Sequence, residues 1–136
     1  MPEPLSIDRF YGLITTGFIS GCVAVVGDYD ELYNNLLKIA PAYFGKIEML
    51  NLPSDYLFSS LNQEINYDLL FVKGLNNLQA NDDQVYTLRT FLDIQKANGL
   101  AALLFLNREA YQKHFRSYSA PFYMFCSSVA VDQLSP

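Results

Sequence analysis

Three runs of consecutive apolar residues constrain the fold of this 136-residue chain more than any other sequence feature. They are Cys22–Val26 (CVAVV), the four apolar residues that follow Asp68 in the predicted strand DLLFV, and Leu100–Leu106 (LAALLFL). Apolar runs of this length without polar alternation are typical of strands buried on both faces, as in parallel sheets. Because amphipathic stretches separate them, the sequence predicts an α/β fold in three layers: a mostly parallel sheet with helices on both faces.

The remaining segments show helical spacing or further strand character. Pro41 is expected to end the helix that follows Gly27, because proline lacks the backbone N–H that a helix interior needs. The pair Asn98-Gly99 is typical of a left-handed helix C-terminus. In chain order, these signals predict a helix before Pro41, a strand over 46–52, helices over 54–65, 81–98 and 108–118, and an extended region over 122–134.

The length fits one domain, which we place over residues 1–136, with a lead-in segment 1–21 and a core 22–134. The net charge is −5, and the 9 Lys and Arg residues are scattered. Binding to a nucleic-acid backbone or to an anionic membrane relies on clustered cations. Neither direct nucleic-acid binding nor membrane binding is therefore expected.

The N-terminus has no basic region followed by an apolar run, so the sequence predicts a cytoplasmic protein. Cys22 and Cys126 both lie in apolar, strand-like runs. In a reducing compartment they are expected to be buried free thiols. Two cysteines without CxxC spacing are too few for a metal site, and no metal is predicted.

The segment Leu5–Gly27 (LSIDRFYGLITTGFISGCVAVVG) resembles the stretch that leads into the first strand and the phosphate loop of RecA- or KaiC-type ATPase cores. The matching residues are Ile7, Asp8, Phe10, Leu13, Gly17, Ile19 and Gly21. Later, an apolar strand begins at Asp68, and the chain closes with the extended segment SSVAVDQL, much as those cores end. The resemblance implies a single RecA-like domain.

The nucleotide-binding residues of that family are missing at the corresponding positions. A phosphate loop has the form G-x-x-x-x-G-K-[ST], in which the lysine meets the phosphates and the hydroxyl group binds Mg²⁺. Counting from Gly27, the second glycine, the lysine and the hydroxyl residue are replaced by Leu32, Tyr33 and Asn34. The second nucleotide motif needs an aspartate after an apolar strand, where this chain has Lys73. We therefore expect no nucleotide cofactor and no ATPase activity.

Three local interpretations accompany this degenerate site. Asp28 and Glu31 have the spacing of a capping box, with Asp28 at N-cap, and are expected to close the start of the next helix. Lys73 is expected to form an ion pair with the acidic loop that contains Asp28, Asp30 and Glu31. His114 lies on a basic segment without a catalytic partner in sequence, so a surface position is expected.

The resemblance implies a non-catalytic pseudo-ATPase that acts as an interaction or regulatory subunit. The implied partner is an active RecA-family ATPase or a second copy of the chain, in a process such as recombination or DNA repair. Two apolar segments are the predicted contact surfaces, and the competing interpretation is that they simply cover the sheet edges. They comprise Phe10, Tyr11, Leu13, Ile14 and Phe18 in the lead-in, and Phe122, Tyr123 and Phe125 near the end.

Two alternatives remain open. One is a ligand-binding or enzymatic α/β domain, because open parallel sheets bind ligands at the carboxyl ends of their strands. The residues expected at those ends are Asp28, Tyr29, Asp30, Leu52, Lys73, Gly74, Asn76 and Asn107. The other alternative is a homo-oligomeric structural protein, which the aromatic-rich composition permits.

Overall fold

Strands and helices alternate along the chain. The computed structural model describes residues 4–19, 21–52, 68–79, 82–97, 99–115 and 126–135, so the predicted helix over 54–65 lies outside the described residues. The strands are β1 (Leu5–Ser6), β2 (Cys22–Val26), β3 (Ile47–Asn51), β4 (Leu69–Lys73), β5 (Ala101–Leu106), β6 (Ser127–Ala130) and β7 (Leu134–Ser135). The α-helices are α1 (Ile7–Thr15), α2 (Asp30–Ile39), α3 (Asp83–Ala97) and α4 (Arg108–Phe115), and short 3-10 helices cover Ala40–Ala42, Leu75–Asn77 and Val131–Gln133.

Parallel pairing organises the central sheet. Its strand order is β3-β4-β5-β2-β6, and each neighbouring pair is parallel. Val23 in β2 is in register with Leu103 of β5 on one side and with Ser127 of β6 on the other. The strands β2, β4 and β5, which contain the three apolar runs, each lie between two neighbours. The predicted mostly parallel sheet is confirmed.

Each face of the sheet is covered by its own hydrophobic core. In β2, Cys22 and Ala24 point into the core that includes residues of α3 and α4, whereas Val23 and Val25 point into the core formed with α1 and α2. Alternate residues of a strand face opposite sides, so an uninterrupted apolar run serves both cores. Burying each valine side chain of this strand stabilises the fold by about 1.5–3 kcal/mol. The three-layer prediction is therefore confirmed.

Helix α1 overturns part of the predicted contact surface. Ser6 accepts a hydrogen bond from the Arg9 backbone N–H at the start of the helix. The apolar residues then recur at helical spacing and are buried in the core, namely Ile7, Phe10, Tyr11 and Ile14. The Tyr11 hydroxyl donates to the Leu36 carbonyl oxygen at 2.8 Å, which joins α1 to α2.

The prediction that Phe10, Tyr11 and Ile14 form a contact surface is thus wrong, because they are the inward face of an amphipathic helix. Leu13 is half-buried. Phe18, in the turn after α1, is 83% exposed. The predicted contact residues Phe122, Tyr123 and Phe125 lie outside the described residues.

The two cysteines are paired. Parallel pairing of β2 with β6 brings Cys22 and Cys126 to a Cα–Cα distance of 5.1 Å, and the structure joins them in a disulfide. The prediction of two free thiols is therefore wrong, since the sequence did not reveal that these strands are neighbours. A separate parallel pair, β1 with β7, joins Leu5 to Leu134. Within the described ranges, no helix is both long enough and apolar enough to cross a membrane.

Candidate functional site

The carboxyl ends of β2 and β5 are adjacent, and the helices that follow them lie on opposite faces of the sheet. Helix α2 follows β2 and packs into one core through Leu32 and Leu36. Helix α4 follows β5 and packs into the opposite core through Ala110 and Phe115. A crevice opens where adjacent parallel strands feed helices on opposite faces, and open α/β sheets bind ligands in such crevices.

A cleft of about 710 Å³ occupies this position. It is lined by Gly27, Asp28, Tyr29, Asp30, Asn76, Asn107, Arg108 and Glu109. Five of these residues belong to the predicted set at the strand ends. The other predicted residues, Leu52, Lys73 and Gly74, are not among its lining residues, and Leu52 is buried. Arg108 and Glu109 were missed, although they follow the predicted Asn107 directly in sequence.

Two asparagine side chains organise the floor of the cleft. The Asn107 backbone N–H donates to Asn76 Oδ1 at 3.0 Å, and Asn76 Nδ2 donates to the Tyr29 hydroxyl at 3.4 Å. Asn107 Oδ1 accepts from the Ala110 N–H at 2.7 Å, which caps α4. Burial, and then the nearby Asp30 carboxylate, raise the pKa of Tyr29, whereas the Asn76 hydrogen bond lowers it. Tyr29 therefore stays a neutral hydroxyl, which accepts the hydrogen bond from Asn76.

The loop that enters α2 depends on Gly27. Its φ of 135° lies in a region that side chains rarely adopt, and a Cβ there would come within 3.2 Å of Val131. Its N–H donates to the Leu106 carbonyl oxygen at 3.0 Å. Gly27 thus allows the loop to turn sharply between β5 and the segment after β6.

The predicted capping box does not form. The residue at N-cap of α2 is Tyr29, which has helical backbone angles and makes no side-chain capping hydrogen bond. Its ring packs against Phe105 at 5.6 Å between ring centroids, which fixes residue 29 at the start of the helix. Asp28 is therefore one position too early to cap α2, and Asp28, Asp30 and Glu31 are exposed.

Tyr33 and Lys73, which the sequence resemblance predicts at nucleotide-binding positions, contact each other. The Lys73 ammonium group lies 4.2 Å from the centre of the Tyr33 ring, a cation–π contact. The ring itself is buried and packs edge-on against Phe71 and Phe105. Lys73 makes no ion pair with Asp28, Asp30 or Glu31, so that prediction is wrong within the described residues. Asn34 is exposed, whereas Leu32 is buried in the core.

His114 is a further correction. It is fully buried, with Nε2 3.0 Å from the Leu75 carbonyl oxygen, and Nδ1 has no hydrogen-bond partner among the described residues. Burial is the main cause of its lowered pKa. The prediction of a surface position is wrong because α4 turns this residue toward the 3-10 helix Leu75–Asn77. That short helix also carries Asn76, so α4 is tied to it at both ends.

No group of three or more His, Cys, Asp or Glu residues is arranged to hold a metal ion in the part of the chain that the structure describes. No model of a known protein family matches the sequence, and no curated protein matches it.

Proposed function

We propose that this chain is a non-catalytic, RecA-like pseudo-ATPase that acts as an interaction or regulatory subunit. The observation that carries the proposal is the contact between Tyr33 and Lys73. These residues occupy the positions at which the resemblance implies a lysine for phosphate and an aspartate for the Mg²⁺ shell. In this chain a buried aromatic ring and a cation fill the two positions and pack on each other.

The geometry of the sheet agrees with this interpretation. Gly27 follows β2 and Lys73 ends β4, and β5 separates these two parallel strands, so both degenerate positions lie at one edge. A nucleotide site needs its two motifs at a common edge, because they act on the same phosphates and metal. The exposed Asp28 and Asp30 carboxylates near that edge would repel a triphosphate.

The proposed partner is an active RecA-family ATPase or a second copy of the chain, and recombination or DNA repair is the proposed setting. Phe18 supports a protein contact because its side chain is 83% exposed, and burying an exposed phenylalanine in an interface is favourable. We propose a cytoplasmic location, where a disulfide is usually transient. Direct nucleic-acid binding is not proposed, because the net charge is −5.

Calorimetric titration of the purified chain with MgATP and MgADP at millimolar concentration tests the absence of nucleotide binding. We expect no saturable heat, whereas an active RecA-family ATPase titrated under the same conditions binds measurably. Saturable, magnesium-dependent binding to this chain would overturn the pseudo-ATPase proposal.

Size-exclusion chromatography with light scattering tests the partner. A dimer mass for the chain alone identifies a second copy as the partner, and a mixed peak with the ATPase identifies the other. We expect Phe18→Ser to abolish the complex. Ile94→Ser is the matched control, because Ile94 is also an exposed apolar residue but lies on α3, away from the lead-in. If both variants lose the complex equally, the loss is not specific to Phe18, and Phe18 is not assigned to the interface.

The cleft favours a second candidate, a domain that binds a small polar ligand. Its volume lies within the roughly 300–1,000 Å³ of small-molecule sites. Three carboxylates, from Asp28, Asp30 and Glu109, outnumber the Arg108 cation, so a ligand with amine and amide groups suits it. Saturation-transfer NMR with amine and amide fragments tests this, with Asp30→Asn expected to weaken binding. Absence of any fragment signal at millimolar concentration rejects this candidate.

A further inference from the structure

The disulfide joins a central strand to an outer one. Cys22 is the first residue of β2, and Cys126 directly precedes β6. The register pairs Val23 with Ser127, so Cys22 and Cys126, one residue before each, lie opposite one another at the amino ends of β2 and β6. The sequence separation of 104 residues means that the bond links distant parts of the chain.

Fewer buried side chains hold β6 than hold the inner strands. Ser127 and Ser128 are exposed, and Val129 and Ala130 are only partly buried. In the described part of the chain, β6 pairs with β2 alone. By contrast, every residue of β5 is buried. Local opening of a fold begins where few apolar side chains are buried. The disulfide therefore contributes more to holding β6 in place than it would to holding a fully buried inner strand.

The end of β6 leads directly to the candidate site. Val131, the next residue, lies against Gly27, where an added Cβ would come within 3.2 Å of it. Val131 and Leu134 also line a small cavity of about 190 Å³ together with Asp28 and Glu31. Movement of β6 would therefore remove the support beneath the loop that forms one side of the cleft.

We infer that the Cys22–Cys126 disulfide is a redox-controlled clasp, which holds β6 and the loop at Gly27 in place when oxidised and releases them when reduced. The inference rests on the proposed cytoplasmic location but not on the proposed pseudo-ATPase function. It assigns to the pair a regulatory role in a compartment where disulfides form transiently.

Reduction of the disulfide requires two electrons, and a protein dithiol of the thioredoxin class supplies them. Its thiolate attacks the sulfur of Cys126, which is half-buried, rather than that of Cys22, which is 2% exposed. A mixed disulfide forms with Cys126, and the Cys22 sulfur leaves as a thiolate and takes up a proton. The second thiol of the reductant then displaces Cys126, so the reductant ends as a disulfide and this chain as two thiols.

Hydrogen–deuterium exchange of the full chain before and after reduction tests the clasp. We expect amides of 127–131 and of the loop 27–30 to exchange at least tenfold faster in the reduced protein. Amides of α3 should be unchanged and serve as the internal reference. Equal exchange of β6 in the two states would overturn the inference, as would two free thiols found by alkylation after incubation with oxidised glutathione.

The variant Cys126→Ser separates the disulfide from other effects of the reductant. It should exchange at β6 like the reduced protein and show no further change when a reductant is added. A reductant-dependent change in this variant would show that the bond is not the cause. If the variant does not fold, the comparison of oxidised and reduced wild-type chain still decides the question.

Discussion

The ammonium group of Lys73 lies 4.2 Å from the centre of the Tyr33 ring, at the edge of the sheet where β4 ends and α2 passes above it. The ring packs between this cation and the side chains of Phe71 and Phe105. A cation over an aromatic face is attracted by the ring quadrupole. Lys73 and Tyr33 thus form a structural contact between the end of β4 and helix α2.

A double-mutant cycle measures this contact. We expect Tyr33→Leu and Lys73→Met to couple by about 0.5–1 kcal/mol in the free energy of unfolding, the size of a partly exposed cation–π pair. Urea denaturation of the two single variants and the double variant supplies the numbers. As a control, Lys73→Met combined with Asp28→Asn should be additive, because the structure shows no ion pair between those residues. Coupling in the control and additivity in the first cycle would contradict the structure.

His114 predicts a pH dependence of stability. Burial lowers its pKa below the ordinary value of 6.5, so the unfolded chain takes up the proton more readily than the folded chain. The contribution of His114 to stability is therefore complete above pH 6.5 and is lost as the pH falls below it. The largest slope that one proton allows is about 1.4 kcal/mol per pH unit.

Urea denaturation between pH 5 and pH 8 checks this prediction. In His114→Gln, which retains a donor for the Leu75 carbonyl oxygen, the part of the slope near pH 6 should disappear. Lys113, the neighbouring cation, also lowers the His114 pKa, so Lys113→Gln should reduce the slope without removing it. An unchanged slope in His114→Gln would show that other groups cause the pH dependence.

The apolar runs determined most of what could be predicted from the sequence. Residues 22–26 and 101–106 are apolar at every position because each strand faces two cores, and that pattern is visible without a structure. The order of the strands is not visible in this way. The disulfide and the Gly27–Val131 contact both depend on β6 lying beside β2, so neither could be predicted.

The errors at single residues have a common cause. Spacing alone predicts Asp28 at N-cap, but the packing of Tyr29 on Phe105 moves the start of α2 by one residue. The charged neighbours of His114 predict a surface position, but α4 buries its last turn against the helix Leu75–Asn77. In both cases a tertiary contact outweighs a local preference of about 1 kcal/mol.

Asn107 gives a prediction about the candidate site. Its side chain caps α4 through the Ala110 N–H, so Asn107→Ala should destabilise the chain by about 0.5–2 kcal/mol. Asn107→Asp keeps an acceptor oxygen at this position and should lose much less stability. Thermal denaturation of both variants makes the comparison. An equal loss in the two variants would show that the cap contributes little and that the lost amide group matters instead.

Gly74 offers the sharpest test of the backbone at this edge of the sheet. Its φ of 99° is left-handed, and a Cβ there would overlap the backbone of Leu52. Gly74→Ala should therefore lose about 1–3 kcal/mol of stability from the backbone conformation alone, and the overlap adds to this loss.

Gly12→Ala is the matched control, because Gly12 lies within α1 and a Cβ there meets nothing within 4 Å. That change should stabilise the chain by up to about 1 kcal/mol. Urea denaturation of both variants decides the matter, and a Gly74→Ala protein as stable as wild type would mean that the strand end at Lys73 does not approach Leu52 as the structure shows.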